Sequence, residues 1–176
     1  MQGKGILFSL AITAGLAGCA ESPNEPGEPG EPNEAVCRGY SQAELLQLVN
    51  EARGVDRSCG GVSYSRTTAL AWNDRLAIAA HSHATDMATN DFFDHTGSDG
   101  LSVSDRAQNA GYNRRSVGEN IGAGYRSASA AMAGWLNSPG HCRNIMNPDY
   151  QDFAMACAED ENSTYEIYWV QVFGRQ

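Results

Sequence analysis

Three side chains of this sequence have the chemistry of a metal or acid–base site. His95 lies in DFFDHTGSDG and His141 in NSPGHCRNIM, each after a helical stretch, and the Pro139-Gly140 pair predicts that His141 is on a turn. Glu119 lies between glycines in GENIG, where the backbone can approach a neighbour closely. Imidazole nitrogen and carboxylate oxygen bind zinc and also move protons near neutral pH. The three loops therefore predict such a site if they converge.

The HSH sequence at residues 81–83 is a weaker candidate for a metal pair. On a strand, His81 and His83 would point the same way, but the surrounding pattern is helical. On a helix, residues two apart lie about 200° apart around the axis and cannot share a metal. We therefore predict that His83 is a hydrogen-bonded core histidine and that His81 is a surface residue.

Helices are predicted from local start and stop signals. Ser41 and Glu44 form a capping box before an apolar helical stripe, which ends at Gly54. Asn73 is a good N-cap for a second helix that runs to about Asn90 and carries both histidines of HSH. Two shorter helices are predicted as well, over residues 102–110 and 127–136.

Near the C-terminus the pattern changes to that of strands. The segments FAMACA and YEIYWVQVF flank the acidic loop EDENST, and the second segment is apolar on both faces. A strand that is apolar on both faces is covered on both sides. The sequence therefore predicts a β-hairpin between two layers of helices, which is an α+β fold.

Four cysteines fall in the predicted domain, namely Cys37, Cys59, Cys142 and Cys157. An even number in an exported domain indicates two disulfides, for which three pairings are possible. We predict Cys37–Cys59 and Cys142–Cys157, because each pair flanks a local stretch. A zinc–thiolate site is the alternative, but the sequence has no Cys-x-x-Cys spacing.

The N-terminus has the features of an exported lipoprotein. In residues 1–18, Lys4 precedes the apolar GILFSLAITAGLAG, which is too short for a stable membrane span. The end of this signal peptide resembles a bacterial lipobox, so Cys19 is expected to carry the lipid; a plain secretory signal is the alternative. Residues 19–36 repeat Pro and Glu every third residue and predict an extended spacer, with a Pro-motif ligand as the alternative.

Length and charge limit the remaining functions. The 176 residues are enough for one domain, predicted over 37–176, beside the targeting segment. The formal net charge of −9 argues against nucleic-acid partners and against electrostatic binding to anionic lipid. The sequence has no Gly-x-Ser-x-Gly, so nothing in it supports a serine hydrolase of that type.

Four segments in order resemble the CAP superfamily over roughly residues 40–174: HATDMATNDFFDHTGSDG, GYNRRSVGENIGAG, WLNSPGHCRNIM and YWVQVFG. These are the SCP-like domains of cysteine-rich secretory and pathogenesis-related proteins, and the match is to the bacterial secreted branch. The resemblance implies a three-layer α–β–α sandwich with an antiparallel sheet and a surface cleft that carries two histidines and two acids. His95 and His141 match the histidines, and Glu119 matches one acid.

The position of the second acid holds Ser138, for which Asp94 or Asp99 could substitute. The resemblance implies an extracytoplasmic binding protein of the bacterial cell envelope. The lipobox-like sequence adds a lipid anchor at Cys19, and because Ala20 follows it rather than the aspartate that resembles an inner-membrane retention signal, the outer membrane is expected if there are two membranes. The protein's cleft, with Glu119, Ser138 and Asn120, would bind a lipid, glycan or other small ligand. His95 and His141 would hold zinc or another divalent cation, without an organic cofactor, in a protein expected to be monomeric.

Two alternatives stay open at this point. One is a metal-dependent hydrolase acting on envelope peptide or glycan, with Glu119 as the base and His95 and His141 at the metal. The other is a structural or adhesive surface lipoprotein with a vestigial cleft. Turnover that chelators abolish would indicate the first, whereas neither binding nor turnover would indicate the second.

Overall fold

The structure, a computed structural model, describes residues 35–176, with side chains from Arg38 onward. The predicted signal peptide, Cys19 and the predicted spacer through residue 34 lie outside the described residues. Within the described range, the longest helix has 16 residues, and no helix combines the length and apolar character needed to span a bilayer.

The predicted helices are confirmed, and their caps explain where they begin. Helix α1 covers Gln42–Arg53, and the Ser41 hydroxyl accepts from the Glu44 N–H while the Glu44 carboxylate accepts from the Ser41 N–H at 2.8 Å. Asn73 caps α2 by accepting from two N–H groups of its first turn. The bounds of the next three helices are Asp74–Thr89 for α2, Val103–Asn109 for α3 and Ala128–Asn137 for α4.

A fifth helix, α5, covers Pro139–Met146 and corrects the predicted turn at His141. Proline is tolerated at the first position of a helix because its missing N–H would have no intrahelical partner there. The Cys142 N–H donates to the Ser138 carbonyl at 2.8 Å and closes the first turn. His141 therefore lies in the first turn of a helix.

The main sheet has four strands in the order β5-β7-β8-β6. The predicted C-terminal hairpin is confirmed as an antiparallel pair, β7 and β8. The GENIG segment was predicted to be a loop because of its glycines, but it is part of β6, which pairs antiparallel to β8. The short strand β5 is parallel to β7. The bounds are Ala71–Trp72 for β5, Ser116–Ala123 for β6, Asp152–Glu159 for β7 and Ile167–Arg175 for β8.

Two small antiparallel pairs precede the main sheet, β1 with β2 and β3 with β4. Their bounds are Ala35–Cys37 for β1, Tyr40–Ser41 for β2, Arg57–Cys59 for β3 and Val62–Tyr64 for β4. The β3–β4 hairpin packs on the start of α5, where a Cβ added at Gly60 would collide with the ring of Pro139. This contact brings the hairpin to the helix that carries His141.

The two faces of the sheet bury separate cores, which confirms the predicted three-layer α–β–α sandwich. In β8, Trp169 and Phe173 belong to a core shared with α1, α4 and α5. The alternate residues Tyr168, Val170 and Val172 belong to a second core shared with α2 and α3. The period-2 pattern of the strand thus directs neighbouring residues to opposite helix layers.

Helices α4 and α5 cover the outer edge of β6. The Trp135 indole N–H donates to the Ile121 carbonyl at 2.8 Å, and the Asn144 amide donates to the Glu119 carbonyl at 3.1 Å. These residues alternate along β6, so both carbonyls point away from β8 and would otherwise lack a strand partner. Two side chains thereby replace a neighbouring strand and position both helices against the edge.

The disulfide prediction is wrong. Cys59 at the end of β3 bonds to Cys142 in α5, with a Cα–Cα distance of 5.5 Å, so neither Cys37–Cys59 nor Cys142–Cys157 forms. Cys157 is also disulfide-bonded. Nearness along the chain does not decide the pairing, because α5 faces the β3–β4 hairpin, 83 residues earlier in the sequence.

Candidate functional site

Glu119 is the centre of a buried polar cluster. Its side chain is only 2% exposed and points from β6 towards α2 and α3. One carboxylate oxygen accepts from His95 Nδ1 at 2.8 Å, and the other accepts from Arg106 Nη2 at 2.7 Å. The hydrogen bond from His95 joins two of the three residues that the sequence predicted as a site. It places the proton on Nδ1 and leaves Nε2 as the available nitrogen of His95.

Arg106 is a member of the cluster that sequence reasoning missed. It is buried in α3, and besides Glu119 its guanidinium donates to the carbonyls of Leu101 at 2.7 Å and His95 at 3.1 Å. It therefore compensates the charge of Glu119 and holds the loop that carries His95. The only sequence signal was that Arg106 lies three residues after the apolar Val103, on the same helix face.

His83 lies directly behind Glu119 and confirms the prediction of a core histidine. It is fully buried, its Nε2 donates to the Asp94 carbonyl at 2.9 Å, and the same nitrogen is 4.0 Å from Glu119 Oε1. Its Nδ1, however, has no hydrogen-bond partner in the described part of the chain. His81, on the same helix, is exposed as predicted.

Burial of His83 has a consequence for the pH dependence of stability. Burial lowers its pKa in the folded protein, so below about pH 6.5, the ordinary pKa of histidine, the unfolded chain takes up a proton that the folded chain does not. The stability that comes from burying neutral His83 is therefore present above about pH 6.5 and is lost as the pH falls.

We expect His83→Gln to show a smaller loss of unfolding free energy between pH 7 and pH 5 than wild type, measured by urea denaturation. His81→Gln is the control and should keep the wild-type slope; an unchanged slope in His83→Gln would contradict the assignment.

The two candidate metal ligands have opposite electrostatic environments. The hydrogen bond to Glu119 raises the pKa of His95, whose side chain is 56% exposed. Burial lowers the pKa of His141, and the charge of His95 lowers it further. His141 thus favours the neutral form that a metal ligand requires.

A network of amides positions the backbone of His141. Asn120 donates from its side chain to the His141 carbonyl at 3.2 Å and to the buried Gln171 at 3.1 Å. Asn144 donates in turn to the Asn120 side-chain oxygen at 3.0 Å. Asn120, predicted as a cleft residue, instead connects α5 to β6 and β8 through its side-chain amide.

A cleft of about 270 Å³ runs along the outer edge of β6. Its walls include four aromatic side chains, together with Ser138 and His141 as predicted: Phe93, Tyr125, Trp135 and Tyr165. His95 and Glu119 do not line this cavity. The structure thus puts His95 and Glu119 in one cluster and places His141 and Ser138 in the adjoining cleft.

Asp94 and Asp99, the predicted substitutes for the second acid, make hydrogen bonds within their own loop. Asp94 accepts from the Thr96 N–H at 2.7 Å, and Asp99 accepts from the Leu101 N–H at 2.9 Å, so each stabilises a turn of its own loop. In residues 35–176, no three His, Cys, Asp or Glu side chains form a group that could hold a metal.

Comparison with known proteins gives one family. The profile of the CAP family, described as the cysteine-rich secretory protein family, matches residues 46–173. In Bacillus subtilis, the uncharacterized membrane protein YlbC is 37% identical over 81 residues, which is 46% of this chain and 23% of YlbC. The uncharacterized protein YkwD is 28% identical over 101 residues, which is 57% of this chain and 37% of YkwD. The matched segments thus span well under half of either relative.

Solved structures agree with this assignment of the fold. An extracellular protein with an SCP domain from Bacillus anthracis str. Ames is 28% identical, with a TM-score of 0.62 over 77% of this chain and 40% of that protein. An outer surface protein from Borrelia burgdorferi has the same fold, with a TM-score of 0.58 at 20% identity, over 76% of this chain and 88% of that protein. Both superpositions cover most of the described domain.

Proposed function

Because the chain belongs to the CAP family of cysteine-rich secretory proteins, we propose that it is an extracytoplasmic binding protein whose cleft holds a lipid, glycan or other small ligand beside a divalent cation. The observation that carries this proposal is the hydrogen bond from His95 Nδ1 to the buried Glu119. A carboxylate that holds one imidazole nitrogen fixes the ring and its tautomer, and the other nitrogen is then ready for a metal.

In this proposal, two imidazoles would hold a divalent cation such as zinc. Glu119 holds the proton on Nδ1 of His95, so in the neutral form of this ring, which is more than half exposed, Nε2 would carry the lone pair for a metal. Burial lowers the pKa of His141, which favours its neutral form, and the amide network holds α5 in place. A cation bound by His95 and His141 would supply Lewis acidity towards an oxygen of the ligand. The aromatic walls of the cleft would contact the apolar part of the ligand.

The same geometry favours binding over hydrolysis. A hydrolase of the kind considered above needs Glu119 to take a proton from water. Both oxygens of Glu119 already accept hydrogen bonds, from His95 and from Arg106, and the side chain is almost completely buried. We therefore assign Glu119 the role of holding His95 rather than that of a general base.

Calorimetric zinc titration tests the proposal. We expect the wild-type chain to bind zinc, His95→Ala/His141→Ala to lose that binding, and His81→Ala, the matched histidine control, to keep it. Glu119→Gln should weaken binding roughly 10- to 100-fold, the usual effect of changing a group that orients a ligand. Equal zinc binding by wild type and the double variant would refute the metal site. A cleft without metal or ligand affinity would instead favour a structural or adhesive surface protein.

The proposal includes an anchor in the cell envelope. The predicted signal peptide at 1–18 and the lipobox-like sequence before Cys19 support lipid modification of that residue. Each buried CH₂ of the acyl chains would contribute about 0.8 kcal/mol to membrane binding. We expect Cys19→Ala to move the protein from the membrane fraction to the soluble fraction. Intact-mass analysis showing an unmodified N-terminus at another residue of the wild type would contradict the anchor.

A further inference from the structure

A carboxylate outside the histidine cluster joins two segments that are distant in sequence. Asp91 follows α2, and residues 160–166 form the loop between β7 and β8. One oxygen of Asp91 accepts from the Thr164 N–H at 2.6 Å and from the Tyr168 hydroxyl at 3.2 Å, and the other accepts from the Thr164 hydroxyl at 3.0 Å. We refer to these hydrogen bonds as the Asp91 clasp.

Asp91 makes these bonds from an unusual backbone conformation. Its φ is +49°, in the left-handed region that side chains other than glycine rarely adopt. Aspartate tolerates this region better than most residues because its short polar side chain bonds locally. The turn is completed by the Phe92 N–H, which donates to the Met87 carbonyl at 3.2 Å. The chain therefore leaves α2 in a direction that points the Asp91 carboxylate at the β7–β8 loop.

The residues next to the clasp form one wall of the cleft. Phe93 is two residues after Asp91, and Tyr165 is the residue after Thr164. Their rings contact each other, with centroids 5.8 Å apart, and both line the cleft while remaining 43% and 45% exposed. Tyr165 also packs edge-on against Tyr168, at 5.9 Å. Rings that are half exposed beside a cavity are available to a ligand rather than to the core.

We propose that Asp91 is a positioning residue for the ligand cleft, holding Tyr165 against Phe93 so that the two rings form a rigid apolar wall. The ligand chemistry that this wall suits is a flat apolar ring face, whether aromatic or the face of a sugar. A wall fixed before binding loses less conformational freedom when the ligand arrives. The inference depends on the proposed ligand cleft but not on the metal.

The test uses 4-fluorophenol as the probe, observed by ¹⁹F NMR with the whole chain. We expect the wild type to bind it with a millimolar Kd, and Asp91→Ala to weaken binding about fivefold, the range expected for loss of an ordered aromatic contact. Asp91→Gly separates the side chain from the backbone, because glycine adopts a positive φ without strain but makes no clasp. It should weaken binding as much as Asp91→Ala, whereas Asp91→Asn, which keeps an acceptor for the Thr164 N–H, should retain most of it.

Asp160→Ala is the matched control for charge and location. Asp160 is in the same loop, but among the described residues its carboxylate accepts only from Asn162, at 2.9 and 3.1 Å, and its loss should leave probe binding unchanged. Amide hydrogen exchange gives a second readout, since the Thr164 N–H should exchange at least tenfold faster in Asp91→Gly than in wild type or in Asp160→Ala.

Each outcome bears directly on the proposal. Probe binding by Asp91→Gly equal to wild type, unchanged exchange of the Thr164 N–H, or no binding of 4-fluorophenol by the wild type would each overturn it. Zinc titration of the same variants separates this inference from the metal site. If the wild type fails to bind zinc but Asp91→Gly still loses the probe, the metal proposal fails and the positioning role of Asp91 stands.

Discussion

Replacing Glu119 by alanine should lower the free energy of unfolding by about 3–5 kcal/mol, the usual result of removing one partner of a buried ion pair. The reason is that Arg106 stays buried in α3 with its charge uncompensated, while His95 Nδ1 loses its acceptor. The measurement is urea denaturation at pH 7, followed by circular dichroism. The loss should exceed that of any exposed ion pair in the described domain.

Two variants control for the effect of Glu119. Glu119→Gln keeps a carbonyl oxygen that can accept from Arg106 and should lose less stability than the alanine variant. Glu159→Ala removes the carboxylate of an ion pair with Arg38, 3.2 Å long, whose glutamate side chain is 50% exposed. An exposed pair contributes about 0–1 kcal/mol. If Glu119→Ala costs no more than Glu159→Ala, the buried cluster is not a stabilising element.

The second large effect is expected from removal of the disulfide between Cys59 and Cys142. Cys59 and Cys142 are 83 residues apart, so their bond closes a long loop in the unfolded chain. The chain-entropy relation for a loop of this length gives about 4.5 kcal/mol. We therefore expect Cys59→Ala/Cys142→Ala to lower the free energy of unfolding by that order, with a lower midpoint of denaturation and an altered slope if the unfolded state expands.

The same double variant should also affect the metal site. Cys142 follows His141 in the first turn of α5, and the disulfide ties that turn to the β3–β4 hairpin. Zinc affinity should therefore fall even under conditions where the variant is fully folded. The single variant Cys142→Ala leaves an unpaired Cys59 and is less suitable. A double variant with wild-type stability would show that non-covalent packing alone holds α5.

Local signals predicted the parts of the fold that have local causes. The capping box at Ser41 and the Asn73 cap mark the starts of α1 and α2 because both sides of each cap are within a few residues. The apolar pattern of β8 likewise predicted its burial on both faces. The start of α5 was misinterpreted, because Pro139 was assigned to a turn although proline is also common at the first position of a helix. The last turn of α5 is held by Arg53, which donates to the carbonyls of Ile145 at 2.6 Å and Asn147 at 2.9 Å.

The glycines of GENIG were interpreted as loop residues for a similar reason. In β6 they are required by close packing: a Cβ at Gly118 would collide with the ring of Tyr150, and one at Gly122 would lie 3.3 Å from Trp135 and from Tyr125. These partners are distant in sequence. From the sequence alone, a glycine required by packing against a ring therefore cannot be distinguished from a glycine required by a turn.

The candidate site was predicted only in part. The order of the CAP-like segments indicated His95, Glu119 and His141, and the structure joins the first two by a hydrogen bond. Arg106 and His83 reach Glu119 only because α2 and α3 pack on the same face of the sheet. Their involvement depends on the arrangement of the layers, which no local spacing encodes. The disulfide prediction failed for the same reason.

The covered edge of β6 has a consequence for refolding. In the native domain, Trp135 and Asn144 occupy the outward carbonyls of Ile121 and Glu119, so a strand of another molecule cannot pair there. Before α4 and α5 dock, that edge is open and invites intermolecular pairing. Because Cys142 fastens α5 to an earlier part of the chain, oxidised chains will regain the native state from denaturant in higher yield than reduced chains at the same concentration. The advantage will grow as the concentration rises.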